Sequence, residues 1–398
     1  MTTARVWLSG FLLLGVLLGL LGSLLVVWRY QIDVEPHLIG FHFLAVNAGY
    51  VIAAALAERL LRRISTRVLA MSACTTALAS LAWLAFAAPP AGSHWRLAAL
   101  LLMGLAAGAL GSALLYGCEA AFEKNPLGSA FRAGTLFGAG CLLATVTIGA
   151  TYFLGSPQIE MILLAVVPLV FLLLFAKTSV QSAASARTVE QDRLHETLRD
   201  LRSIATLLFS LLVFFQFGNE WAVAGWLPLF LIHRLGSNPA LSIGVLAAYF
   251  VALMLGRIAA YKLLPHVHHR RFLIASITVA ICGFTLLELA GSLLTATVSV
   301  VVIALGFAAI YPLISDWLDH RFSYHPGFYN GAISIAVTGA MSVPWLLGFV
   351  AAWFGMGYLM LLPALGSVLV LVLVLLLMFE AHLMRDTPAE KARSAGIS

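Results

Sequence analysis

The sequence predicts an all-α membrane protein of twelve transmembrane helices in two pseudo-symmetric six-helix bundles. Three observations predict it. Only 10% of the 398 residues are charged and 62% are hydrophobic, whereas soluble domains carry about a quarter charged residues. Apolar runs of about 20 residues recur along the whole chain, each long enough to cross a hydrocarbon core about 30 Å thick. One polar stretch, 177–202, is rich in Ser, Gln, Thr and both signs of charge, and it leaves six runs on either side. The net charge of +6 belongs to the loops, where it speaks for topology and not for nucleic acid.

Span one, Val6–Val27, is too long and its exit too polar for a cleaved signal peptide, and it shows no small-residue cleavage site. A polar loop, 28–36, leads to span two, His37–Ala57. Span three, Thr66–Ala87, stops at Pro89-Pro90. Span four, Trp95–Cys118, carries Gly104, Gly108 and Gly111 at the spacing that lets helices approach closely. Spans five and six are Ala130–Leu154 and Gln158–Phe175, so residues 1–176 form the first bundle and 177–202 a linker. Spans seven to twelve follow at Ser203–Ile232, Ala240–Leu263, Phe272–Leu289, Leu294–Ser315, Tyr329–Phe354 and Gly357–Phe379. They make a second bundle over 203–380, and 381–398 is a polar tail.

Lysine and arginine concentrate in cytoplasmic loops. Of the 23 here, all but Arg29, Arg96 and Arg234 fall on the side that carries the N-terminus. The expected topology therefore has both termini in the cytoplasm and the chain in the inner (plasma) membrane. A monomer in the lipid bilayer is expected.

Phe214–Pro228 in span seven is the stretch around which the rest is organised. Glu220 falls within the span, and a carboxylate in hydrocarbon is costly enough that it rarely faces lipid. Gln216 and Asn219 add donors and acceptors, Trp221 and Trp226 add flat apolar faces, and together these groups suit a small polyhydroxylated ligand. Gly218, Gly225 and Pro228 are points where a membrane helix bends or unwinds beside a cavity. The plainer alternative is that Glu220 pairs with a buried arginine and only holds helices together.

The end of span two holds Ala54, Glu58, Arg59, Leu61, Arg62 and Arg63 in the places of a glycine, an acid, an arginine, a second glycine and two basic residues. This resembles the signature loop of the major facilitator superfamily, with both glycines replaced, and Gly256-Arg257 resembles its counterpart in the second half. The resemblance implies the major facilitator fold, a substrate site between the halves, and a gate role for Glu58, Arg59 and Arg257. Four islands resemble the fucose–proton symporter family more closely. These are Gly108–Gly111 with Glu119 and Asn125-Pro126; Gly218-Asn219-Glu220 with Gly225-Trp226; Gly256-Arg257; and Tyr311-Pro312. That family implies uptake of a sugar with a proton. Its members commonly carry an acid in the first span, and this chain has none there, so coupling falls to Glu119, Glu220 or Asp316. Burial favours the uncharged form of a carboxylate, which is what proton uptake needs.

Further candidates for the substrate site are His42 and Asn47, Tyr311, and Trp345 after Pro344. His42 and Asn47 are five residues apart, about 140° around a helix, so they do not share a face. Asp316, with Asp319, His320 and Arg321, is expected at the gate. His266, His268 and His269 stand beside Arg270 and Arg271 without a cysteine or carboxylate, which reads as a basic loop and not a metal site. The four cysteines lie in or at the end of apolar runs and read as small core residues. No phosphate-binding loop occurs, so neither ATP nor any other cofactor is expected, nor is an enzyme. Two alternatives remain at this stage: an exporter of amphipathic compounds, and a non-transporting membrane sensor or scaffold.

Overall fold

The computed structural model describes residues 3–33, 35–89, 91–154, 157–178, 204–315 and 326–385. Among these, twelve helices are long and apolar enough to cross a membrane. In the first half they are α1 (Ala4–Val27), α2 (Pro36–Leu61), α3 (Thr66–Phe86), α4 (Ser93–Gly117), α5 (Pro126–Thr151) and α6 (Gln158–Ala176). In the second they are α7 (Thr206–Leu235), α8 (Pro239–His266), α9 (His269–Glu288), α10 (Leu293–Ser315), α11 (Tyr329–Phe354) and α12 (Met356–Glu380). The expected linker lies almost wholly outside the described residues, as do Asp316, Asp319, His320 and Arg321.

The starts of the helices are written locally. Pro36, Pro126 and Pro239 occupy first-turn positions, where a missing N–H costs nothing. Asn125 and Asn238 accept from the backbone N–H of Gly128 (2.8 Å) and Ala240 (2.9 Å), and Ser292 with Thr295 forms a capping box. The loop at 28–36 is not wholly irregular, since Tyr30–Asp33 forms one helical turn. Span four ends at Gly117, and a short helix, Glu119–Lys124, follows Cys118.

Packing repeats itself between the halves. Helix α1 packs on α5, α2 on α4, and α3 on both α4 and α6; in the second half α7 packs on α11, α8 on α10, and α9 on both α10 and α12. Each pairing maps onto the other by adding six to the helix number, which is the pseudo-twofold relation. The contacts between halves obey it too, with α2 on α11 matched by α5 on α8, and the end of α1 meeting α7.

Small residues make the crossings close. Gly15 lies against the Phe137 carbonyl while Gly140 lies against that of Leu12, so α1 and α5 each contribute a glycine to their contact. A Cβ at either position would overlap the facing backbone. Without a hydrophobic difference between helix and lipid, such approach is how membrane helices gain dispersion energy. Outer helices show apolar faces instead: Ile162, Val166, Leu169 and Leu173 form an exposed stripe on α6 at helical spacing. Cys282 is likewise exposed on α9, which corrects its reading as a core residue, while Cys74, Cys118 and Cys141 are buried as expected.

Candidate functional site

A cavity of about 860 Å³, including its open mouth, lies between the two halves. Its walls come from the middle of α1 (Phe11 to Leu18) and from the first halves of α5 (Ala130 to Phe137) and α11 (Tyr329 to Met341). Helices α5 and α11 begin on the face that carries the N-terminus, so the cavity belongs to that side and reaches Glu220 near the middle of α7. The lining is phenyl, aliphatic and glycine, interrupted by the phenols of Tyr50, Tyr311 and Tyr329. Among the described residues of the lining, Glu220 and Arg257 are the charged ones.

Those two form a buried ion pair. Arg257 Nη2 donates to Glu220 Oε1 at 3.0 Å, with the two side chains 5% and 7% exposed. Arg257 Nη1 also donates to the carbonyl of Gly134 on α5, so one guanidinium joins α7 and α8 to the opposite half. Gly134 and Gly138 leave the room this needs, as the space beside both is filled by the Arg257 side chain. Tyr249 of α8 donates to the Glu220 backbone carbonyl at 3.2 Å and fixes that turn. Among the described residues Glu220 Oε2 and Arg257 Nε have no partner, nor does the Tyr50 hydroxyl. Phe217 stands edge-on to Tyr311, with ring centres 4.9 Å apart.

The structure thus brings Glu220, Arg257 and Tyr311 together, and the arginine that sequence reasoning placed at a gate is the partner of Glu220 inside the cavity. The remaining candidates lie elsewhere. Gln216 and Asn219 are buried in α7 but off the lining, Asn219 packing against Gly366 of α12. Asn47 is buried, and its carbonyl oxygen has no partner among the described residues. Glu119 is partly exposed at the head of its short helix, one turn before the cavity residue Phe122. Glu58 and Arg59 are exposed at the end of α2.

Trp226, Trp345 and His42 belong to the closed face opposite the cavity. There Gly22 of α1 lies against the Ala224 carbonyl, and Trp226 stacks on Phe43 with ring centres 6.2 Å apart. Trp226 Nε1 donates to the Pro344 carbonyl at 2.9 Å, Gly40 meets the Trp345 backbone, and His37 stacks on Phe349. His42 sits in a chain of bonds: Arg96 Nε donates to Tyr30 OH at 2.8 Å, and that hydroxyl meets His42 Nε2 at 3.0 Å. Nδ1 faces the Leu38 carbonyl, which only accepts, so Nδ1 carries the proton and the Nε2 of the neutral ring accepts from the Tyr30 hydroxyl. Burial raises the Tyr30 phenol above its usual value, with Arg96 acting the other way.

The expected unwinding of α7 does not occur. The helix runs unbroken from Ile204 to Leu235 through Pro228, and its glycines serve contact: Gly218 receives Val343, and Gly225 receives the Phe43 ring. Sequence reasoning missed Tyr50, and it missed Asn330, which accepts from Ser112 at 2.9 Å and donates to the Ala54 carbonyl. Tyr50 lies within span two and Asn330 at the start of span eleven, and a single polar residue in a helix does not say which way its side chain faces.

Comparison with known proteins fits this arrangement. The sequence pattern of the Major Facilitator Superfamily matches residues 6–343. No curated protein matches the chain. Among solved structures, a D-xylose–proton symporter superposes with a TM-score of 0.75 at 15% identity, covering 93% of this chain and 96% of that one. The E. coli fucose:proton symporter gives 0.68 at 17% identity, covering 94% and 98%. A nucleoside transporter gives 0.71 at 13% identity, covering 94% and 99%. At such identities the likeness is one of fold. With the family pattern spanning most of its length and twelve membrane-crossing helices, the chain belongs to the Major Facilitator Superfamily and is a multi-pass membrane transporter, not an enzyme.

Proposed function

We propose that this protein is a secondary active transporter that works by alternating access and couples a small polar solute, a sugar or similar, to protons through Glu220. The Glu220–Arg257 pair in the central cavity carries the reading. Protonation of Glu220 removes the charge that holds Arg257. The same guanidinium bonds Gly134 across the two halves, so the loss of its partner is felt at the interface that must rearrange. The bias of Lys and Arg to the N-terminal side supports a cytoplasmic cavity mouth, with both termini inside and an inward-facing state. The working division is two bundles, 1–176 and 203–380, with a linker at 177–202 and a tail at 381–398, acting as a monomer in the inner membrane. Glu119, beside the cavity, is the second candidate for the proton. Glu58, Arg59 and Asp316 remain gate candidates, and Gln216, Asn219, Asn47, Trp226, Trp345 and His42 enter the site only in a state that repacks α2, α7 and α11.

Vesicles loaded with a pH-sensitive dye test this. The expected result is solute-induced proton entry with at least one member of a sugar panel, abolished in Glu220→Gln. Proton movement unchanged in both Glu220→Gln and Glu119→Gln ends the proposal. The apolar lining favours a second reading, export of amphipathic compounds, which predicts that proton movement follows lipophilic cations and ignores sugars.

A further inference from the structure

Three polar atoms on residues that line the cavity have no partner among the described residues: Tyr50 OH, Glu220 Oε2 and Arg257 Nε. Their residues are 0%, 5% and 4% exposed. Buried polar atoms are nearly always bonded, so three on the residues of one cavity are candidate places for a ligand to bond. They comprise an acceptor, a donor and a phenol that does both. Around them the wall is apolar, with Phe137, Phe217 and Trp221 beside the pair.

We propose that the cavity takes an uncharged solute with a compact head of neighbouring hydroxyls and an apolar, ring-sized body. The proposal rests on the transporter reading and narrows its substrate class. Charge is disfavoured while Glu220 is ionised, because Glu220 and Arg257 then neutralise each other at 3.0 Å. A cation would have to take Glu220 from Arg257, and an anion Arg257 from Glu220, each leaving a buried charge without its partner. Neighbouring hydroxyls suit the head because one gives its proton to Oε2 while the oxygen of the next accepts from Nε. A bare polyol leaves the phenyl walls unfilled, and a bare hydrocarbon leaves three polar atoms unbonded.

Thermal unfolding of the detergent-purified chain tests this with four probes: phenyl β-D-glucopyranoside, D-glucose, benzyl alcohol and tetraphenylphosphonium. A ligand of the folded state raises the melting temperature by mass action. The glycoside is expected to act at concentrations at least about tenfold below the other three, a margin of roughly 1.4 kcal/mol. Tyr50→Phe removes a hydroxyl that bonds nothing among the described residues. It is expected to leave the unliganded melting temperature unchanged and to weaken the glycoside about tenfold, the same margin. Equal action of glucose and the glycoside, a preference for the cation or the alcohol, an unaffected Tyr50→Phe, or no shift with any probe overturns the proposal. Glycoside binding as expected without solute-driven proton entry would leave this inference standing and remove the coupling. Proton entry driven by glucose with no preference for the glycoside would do the reverse.

Discussion

Arg257 decides the chemistry of the cavity, because it is the residue that turns a costly buried acid into a tolerated one. Breaking a buried ion pair from one side is expected to cost about 3–5 kcal/mol, since the remaining charge is left without a partner. Arg257→Ala should therefore lower the melting temperature strongly. The double change Glu220→Leu with Arg257→Met should recover most of the loss, as apolar replacement of a whole pair is often neutral. A double variant as unstable as the single one would show that the Gly134 bond, not the pair, matters to stability. Tyr30 is a second such position, as its hydroxyl links Arg96 to His42. Tyr30→Phe leaves a buried donor unmatched and should cost about 1–3 kcal/mol, read from the same unfolding curves. No loss there would mean that the Arg96 bonds to the carbonyls of Ala87 and Ala91 hold the cluster alone.

At the scale of elements, glycines serve close contact where the sequence reading expected unwinding. Gly22 lets α1 rest on the Ala224 carbonyl of α7, on the face opposite the cavity. Gly22→Val places branched carbons where that backbone lies, so the closed face should be forced apart. The check is a Phe43→Cys reporter in a Cys282→Ser background, because Cys282 is the exposed one of the four native thiols. Labelling by a membrane-impermeant maleimide should be slow in the parent, where Phe43 is 1% exposed, and severalfold faster with Gly22→Val. Equal rates would show that α1 yields without opening the face.

Across the whole molecule, the six-apart pairing of helices supplies two related bodies that meet through α2 with α11, α5 with α8, and α1 with α7. Alternating access requires the closed face to part. Joining His37→Cys to Phe349→Cys, whose parent rings stack 6.3 Å apart, with a short bifunctional reagent should abolish transport. Tyr50, on the cavity side, is untouched by that link, so binding at the cavity should survive it. Transport that persists in the crosslinked protein would mean that these helices do not separate during the cycle.

Fold class, the number of spans and most of their limits were legible in the amino-acid order, because span length, loop charge, capping residues and first-turn prolines are local properties. The importance of Glu220 was legible as well, since a carboxylate within an apolar run is costly wherever its neighbours lie. What surrounds it was not. Gln216 and Asn219 are within four residues of Glu220, yet a turn of helix sends them to other neighbours, while Arg257, 37 residues on, faces it. Trp226, Trp345 and His42 carry the right chemistry for a site and lie at the closed face, because a helix alone does not fix which side meets the cavity. The sequence by itself determined that a twelve-helix membrane transporter fold forms and that it holds a buried acid. Only the tertiary structure decided that acid's partner, the orphaned atoms beside it and the face on which the cavity lies, because those depend on how helices distant in sequence are rotated against one another.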